Sequence, residues 1–155
     1  MPGWLKGLLI VVIVVVVLIV GVVGAGVFYI MRNKDAWMAR AKEIATEGKN
    51  FGNSTDNQGC VEESVDRYKK DSGIQGVLAS TIFMRTCLDA SRPTPGFCDE
   101  VPGQMEFMKS AEWRKTQCSH AGLQHDSQCQ NLFTPVQQFC EERGRSSRQN
   151  NSNSE

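Results

Sequence analysis

The dominant feature of the hydropathy pattern is a run from Leu8 to Met31 without one charged residue. Val, Ile and Leu fill it to Val20. Gly21, Gly24 and Gly26 then interrupt an apolar stretch that ends on Phe28-Tyr29-Ile30-Met31. Wound as a helix, these residues rise ~36 Å, enough to cross a hydrocarbon core of ~30 Å with some tilt. Val and Ile are indifferent helix formers in water, but lipid offers the backbone no other hydrogen-bond partner. The run is therefore predicted to be one transmembrane helix. Trp4 and Tyr29 stand near its ends, where amphipathic aromatic rings favour the membrane interface. Residues 1–34 read as a membrane anchor.

Beyond the anchor, apolar residues recur three and four positions apart, and no alternating strand pattern occurs. Residues 35–57 read as a helical stalk and a loop. Asp35 to Glu47 is predicted helical, with Trp37, Ala41 and Ile44 on one face and a stop near Gly48; Lys49 to Asn57 has loop composition. Residues 58–144 read as a cysteine-stapled helical domain. Cys60, Val61, Val65 and Tyr68 mark its first helix, ending at Lys70. Ser72-x-x-Gln75 has the form of a capping box, opening a second helix whose apolar stripe is Ile74, Val77, Leu78, Ile82 and Leu88.

Arg92-Pro93-Thr94-Pro95-Gly96 cannot continue that helix, because each Pro fixes φ and disfavours helical geometry before it. Pro102 is expected as an early residue of a third helix that runs to about Ala121 and closes on Gly122. The fourth is expected from Asp126, with Cys129, Leu132, Phe133, Val136, Phe139 and Cys140 on one side and a kink or restart at Thr134-Pro135. Residues 145–155 hold no apolar residue and are expected to form a disordered tail. The predicted fold class is all-α: a single transmembrane helix followed by a small disulfide-stapled domain of two helical hairpins.

Other uses of an amino-terminal apolar run fit less well. A signal peptide has an apolar core of ~7–15 residues, shorter than this one. A lipoprotein needs a cysteine just after the run, and the first here is Cys60. The chain resembles type IV prepilins in having Gly3 ahead of the run, but that family carries Glu at the fifth position of the processed helix, where this chain has Leu8. An uncleaved anchor remains. Gly3-x3-Gly7 and Gly21-x3-Ala25 have the small-residue spacing that permits self-association through the membrane helix.

Two rules disagree over orientation. Arg32, Lys34, Arg40 and Lys42 follow the run and only Lys6 precedes it, which favours the carboxyl-terminal side in the cytoplasm. The six cysteines argue the reverse: all lie beyond the run, and an even set in a small domain reads as a disulfide framework, which persists in an oxidising compartment. The cysteines decide it. The expected topology is a single-pass cell (inner) membrane protein, amino terminus cytoplasmic, domain periplasmic or extracellular.

Helix register also predicts the pairing. Around a turn near Ser72, Cys60 and Cys87 lie at similar distances along neighbouring helices. Around a turn near Gln124, Cys118 and Cys129 face each other, and the same hairpin brings Cys98 to Cys140. The expected bonds are Cys60–Cys87, Cys98–Cys140 and Cys118–Cys129.

Chemistry-bearing patterns are sparse. The 17 basic residues balance the 17 acidic ones, so no basic surface calls for nucleic acid. No two cysteines are close enough for the short pairs of a zinc site, no C-x-x-C occurs, and no cofactor is expected. His120, His125 and Asp126 flank a turn beside Cys118 and form the one cluster that an enzyme site could use, although polar residues exposed around a helix turn explain them more simply. Glu62-Glu63 and Asp99-Glu100 are adjacent carboxylates, which on a helix would not converge on one substrate, and a solvated face is the expectation for both. Phe97, Met105, Phe107, Met108 and Trp113 allow two readings, an exposed apolar patch or packing of the third helix on the fourth, and the packing is the expectation. The functional expectation is a non-enzymatic, membrane-anchored, extracytoplasmic interaction or assembly module whose partners are the bilayer and another protein. The alternative is a membrane-tethered enzyme at His120, His125 and Asp126.

Overall fold

The computed structural model describes residues 3–152, and among them are six helices, joined by turns and loops, and no strand. The first, α1 (Gly3–Gly52), starts in the apolar run and continues unbroken past it. Ile10–Tyr29 is the one stretch among the described residues long and apolar enough to cross a membrane, with mean hydropathy 3.3 and none of it buried within the chain. A helix apolar on every side has no solvated face and requires an apolar surrounding. The chain divides into two compact units, Met1–Arg40 and Ala41–Glu155. The boundary falls inside the segment read as a stalk, so its second half belongs to the carboxyl-terminal unit. Trp37, expected on a packed face, is 57% exposed, whereas Ala41 and Ile44 are half-buried.

The helix does not stop at Gly48. Gly48 and Gly52 lie one turn apart and are both buried. A Cβ on Gly48 would clash with Thr86 Oγ1 and stand 2.6 Å from the Phe83 carbonyl oxygen; one on Gly52 would meet the Cys87 carbonyl and lie 3.1 Å from Cys87 Cα. These glycines let two helix backbones approach, which is the second use of glycine beside ending a helix.

After a turn at Asn53 to Asp56, α2 (Asn57–Lys70) begins three residues earlier than Cys60. Its N-cap is Asp56, whose Oδ1 accepts from Gly59 N at 2.9 Å and satisfies a free helix N–H. The opening of α3 (Ile74–Ala90) also differs from expectation. Its N-cap is Gly73 at φ 111°, and the Ser72 hydroxyl caps nothing. The reversal is too tight for a capping box: a Cβ on Gly76 would clash with the Asp71 carbonyl. Along α3 the buried face is Gly76, Val77, Ser80, Phe83, Met84, Cys87 and Leu88. Ile74 and Leu78, placed in the core by the apolar stripe, are instead 76% and 49% exposed.

The third domain helix, α4 (Phe107–His120), starts five residues beyond Pro102. The carbonyls that a longer helix would use are taken by side chains. Buried Gln137 donates through Nε2 to Pro102 O at 3.1 Å and to Ser110 Oγ at 2.9 Å, and Ser110 Oγ donates to Gly103 O at 3.0 Å. The last helix is split as Thr134-Pro135 suggested, into α5 (Cys129–Leu132) and α6 (Thr134–Ser152). Correcting the tail, α6 continues helical from Arg145 to Ser152. Absence of apolar residues excludes burial there, not helix, and adding residues to a formed helix costs little once a packed segment has nucleated it. The tail expectation at 153–155 lies outside the described residues.

α3 packs against α2, α5 and α6, and α4 packs on α5. Tyr68, Phe83, Met84, Leu88 and Leu132 are fully buried between them. The structure joins Cys60 to Cys87, Cys98 to Cys140 and Cys118 to Cys129, with Cα–Cα distances of 5.7, 5.4 and 5.9 Å. These are the three pairs that helix register gives.

Candidate functional site

A cleft of about 450 Å³ opens in the carboxyl-terminal unit. Each wall is fixed by a contact distant in sequence. The segment after α3 is tied to the start of α2: Asn57 N donates to Arg92 O at 3.1 Å, Asn57 Nδ2 to Ser91 Oγ at 2.8 Å, and Thr94 N to Asn57 Oδ1 at 3.0 Å. Asn57 is only 3% exposed, and this bracket uses both ends of its amide. It sets Gln58 and Val61 of α2 opposite Thr94, Pro95 and Gly96. Gly96, at φ 74°, turns the chain into Phe97. The next residue, Cys98, is bonded to Cys140 of α6.

Aromatic packing forms the apolar part of the lining. Trp113 on α4 meets Phe133 edge to face at 6.2 Å, and Phe97 meets Phe139 in the same way at 6.2 Å. Phe133 and Val136 are buried beneath, and Phe97 and Trp113 keep part of their surface in solvent. Exposed Asp99 and Glu100 line the same cleft; no Lys or Arg does. Thr94 Oγ1 is shielded from solvent and has no hydrogen-bond partner among the described residues.

Two of the aromatic residues thus pack as expected, but Met105, Phe107 and Met108 do not. They are 79%, 73% and 84% exposed around the start of α4. Because α4 begins late, these residues fall on the turn ahead of the helix and on its first turn, away from α5. Periodicity alone cannot show this, since it depends on where Gln137 and Ser110 hold the preceding carbonyls.

The nominated polar cluster has a structural use. Asp126 Oδ2 accepts from the Tyr68 hydroxyl at 2.7 Å, and Asp126 Oδ1 accepts from Gln128 N at 2.8 Å. The Tyr68 bond holds the Asp126 carboxyl below the usual carboxylate range. Burial first, and then Asp126, pushes the Tyr68 phenol up. His120 and His125 are exposed on the surface nearby. Among the described residues, no three His, Cys, Asp or Glu side chains are grouped to hold a metal ion. Comparison with protein-family models, curated proteins and solved structures gave no match.

Proposed function

We propose that this chain is a membrane-anchored, extracytoplasmic interaction module that presents a rigid, disulfide-stapled helical face to another protein. The observation that carries this reading is the exposure of Met105, Phe107 and Met108, each above 70%, on a unit whose other aromatic residues are buried or half-buried. Large apolar side chains left in water close together along the chain are the composition of a docking surface. The membrane-tethered enzyme has weaker support, because the Asp126 carboxylate already serves Tyr68 and the turn at Gln128. The proposed orientation has the amino terminus in the cytoplasm of a single-pass inner-membrane protein and the domain in the periplasm or outside. It rests on the three disulfides, which need an oxidising compartment.

The reading is tested with a photo-crosslinking residue at Phe107 in native membranes. A discrete crosslinked protein that is absent when the label sits at exposed Lys69 on α2 is expected. Identical patterns from both positions would remove the proposal. For orientation, alkaline phosphatase fused after Glu155 is expected to be active. A well-expressed but inactive fusion would show that the basic residues after the run, and not the cysteines, set the topology.

A further inference from the structure

The cleft combines an aromatic wall with charge of a single sign. Asp99 and Glu100 line it with no Lys or Arg in the lining, and neither is in an ion pair among the described residues. Beside them, Phe97 and Trp113 keep ring surface open to solvent. An aromatic ring face attracts a cation through its quadrupole, and an unpaired carboxylate nearby attracts the same cation by charge. We propose that the cleft receives an arginine side chain of the partner polypeptide, an assignment that rests on the interaction reading above.

Arginine fits these groups better than other cations. A planar guanidinium can lie on a ring while its N–H groups donate to carboxylates, and it is more weakly hydrated than an ammonium. A quaternary ammonium carries no donor, so it would leave both carboxylates unbonded. A volume of about 450 Å³ lies within the range that encloses small ligands, so it has room for one long side chain and its flanking backbone.

The test uses the full chain in nanodiscs, with Trp4→Phe and Trp37→Phe leaving Trp113 as the sole tryptophan of the three. The probes are acetyl-Ala-Arg-Ala-amide, the same tripeptide with uncharged citrulline in place of arginine, and choline. The arginine tripeptide is expected to shift Trp113 emission saturably. The citrulline tripeptide should bind about tenfold more weakly, the loss of a charge-assisted bond. Asp99→Asn with Glu100→Gln should erase that difference at an unchanged thermal midpoint. On the chain with both carboxylates intact, added NaCl should weaken the arginine tripeptide and not the citrulline one.

Equal binding of the two tripeptides would overturn the assignment, as would choline binding as tightly as arginine, or a missing salt effect. A specific crosslink at Phe107 without tripeptide discrimination overturns the cleft assignment and leaves the interaction reading standing. Discrimination without any crosslink upholds the cation specificity and overturns the interaction reading.

Discussion

At the scale of single residues, glycine and aspartate carry roles that sequence leaves open. Gly48 reads as a helix stop because that is the commonest meaning of a glycine after a polar stretch. Its second meaning, a backbone-to-backbone approach, depends on Phe83 and Thr86, residues 35 or more positions away. Gly48→Ala separates the two. A glycine that only interrupts a helix gains up to ~1 kcal/mol when replaced by Ala. Here the added methyl meets the Phe83 carbonyl at 2.6 Å, and overpacking of this kind costs ~1–3 kcal/mol. The thermal midpoint of the full chain in detergent is therefore expected to fall. A rise would show that the α1–α3 approach is looser than described.

The ion-pair and phenol chemistry gives a pH profile. Tyr68 lowers the Asp126 carboxyl, and a hydrogen bond from Arg67 lowers that of Glu47. A group with a depressed folded value adds stability above its unfolded value, near 4, and loses it as pH falls through the folded value. Tyr68 is raised by burial. Its neutral form favours folding below its unfolded value, near 10, and that contribution disappears as pH rises through the folded value. Urea midpoints are expected to be flat between these limits, falling in acid and again in strong alkali. Asp126→Asn should flatten the acid limb; an unchanged limb would mean that other carboxylates govern it.

At the scale of elements, the number and order of the domain helices were legible, and so was the break at Thr134-Pro135, because apolar spacing and proline geometry are local. Helix starts were less legible. The start of α4 is set by Gln137, which reaches back 35 residues to Pro102 O, and the start of α3 by the tight contact of Gly76 with Asp71. The exposed position of Phe107 and the Met residues beside it follows from that late start, which is why spacing favoured packing them on the fourth helix, while the apolar floor at Phe133 and Val136 was legible. Gln137→Leu is predicted to leave the Pro102 carbonyl and the Ser110 hydroxyl without their donor. The expected loss is ~1–3 kcal/mol, measured by denaturant unfolding. A neutral result would mean that water replaces the amide there.

At the scale of the molecule, the three disulfides answer one limitation. A unit of this size buries a modest core, and each disulfide adds ~2–4 kcal/mol by restricting the unfolded chain. The pairing could be read from sequence because two helices joined by a short turn bring residues equally far from that turn to the same height. What joins to what across the cleft could not, since Asn57, Ser91 and Thr94 meet through side-chain amide geometry that no spacing encodes.

The compartment and the fold meet in one measurement: alkylation of free thiols in intact cells, followed by mass spectrometry of a non-reduced digest. The expected result is no alkylated cysteine and three linked peptide pairs, Cys60 with Cys87, Cys98 with Cys140 and Cys118 with Cys129. Alkylated cysteines throughout would place the domain on the reducing side of the membrane, and a Cys60–Cys98 peptide would contradict the hairpin register on which the fold rests.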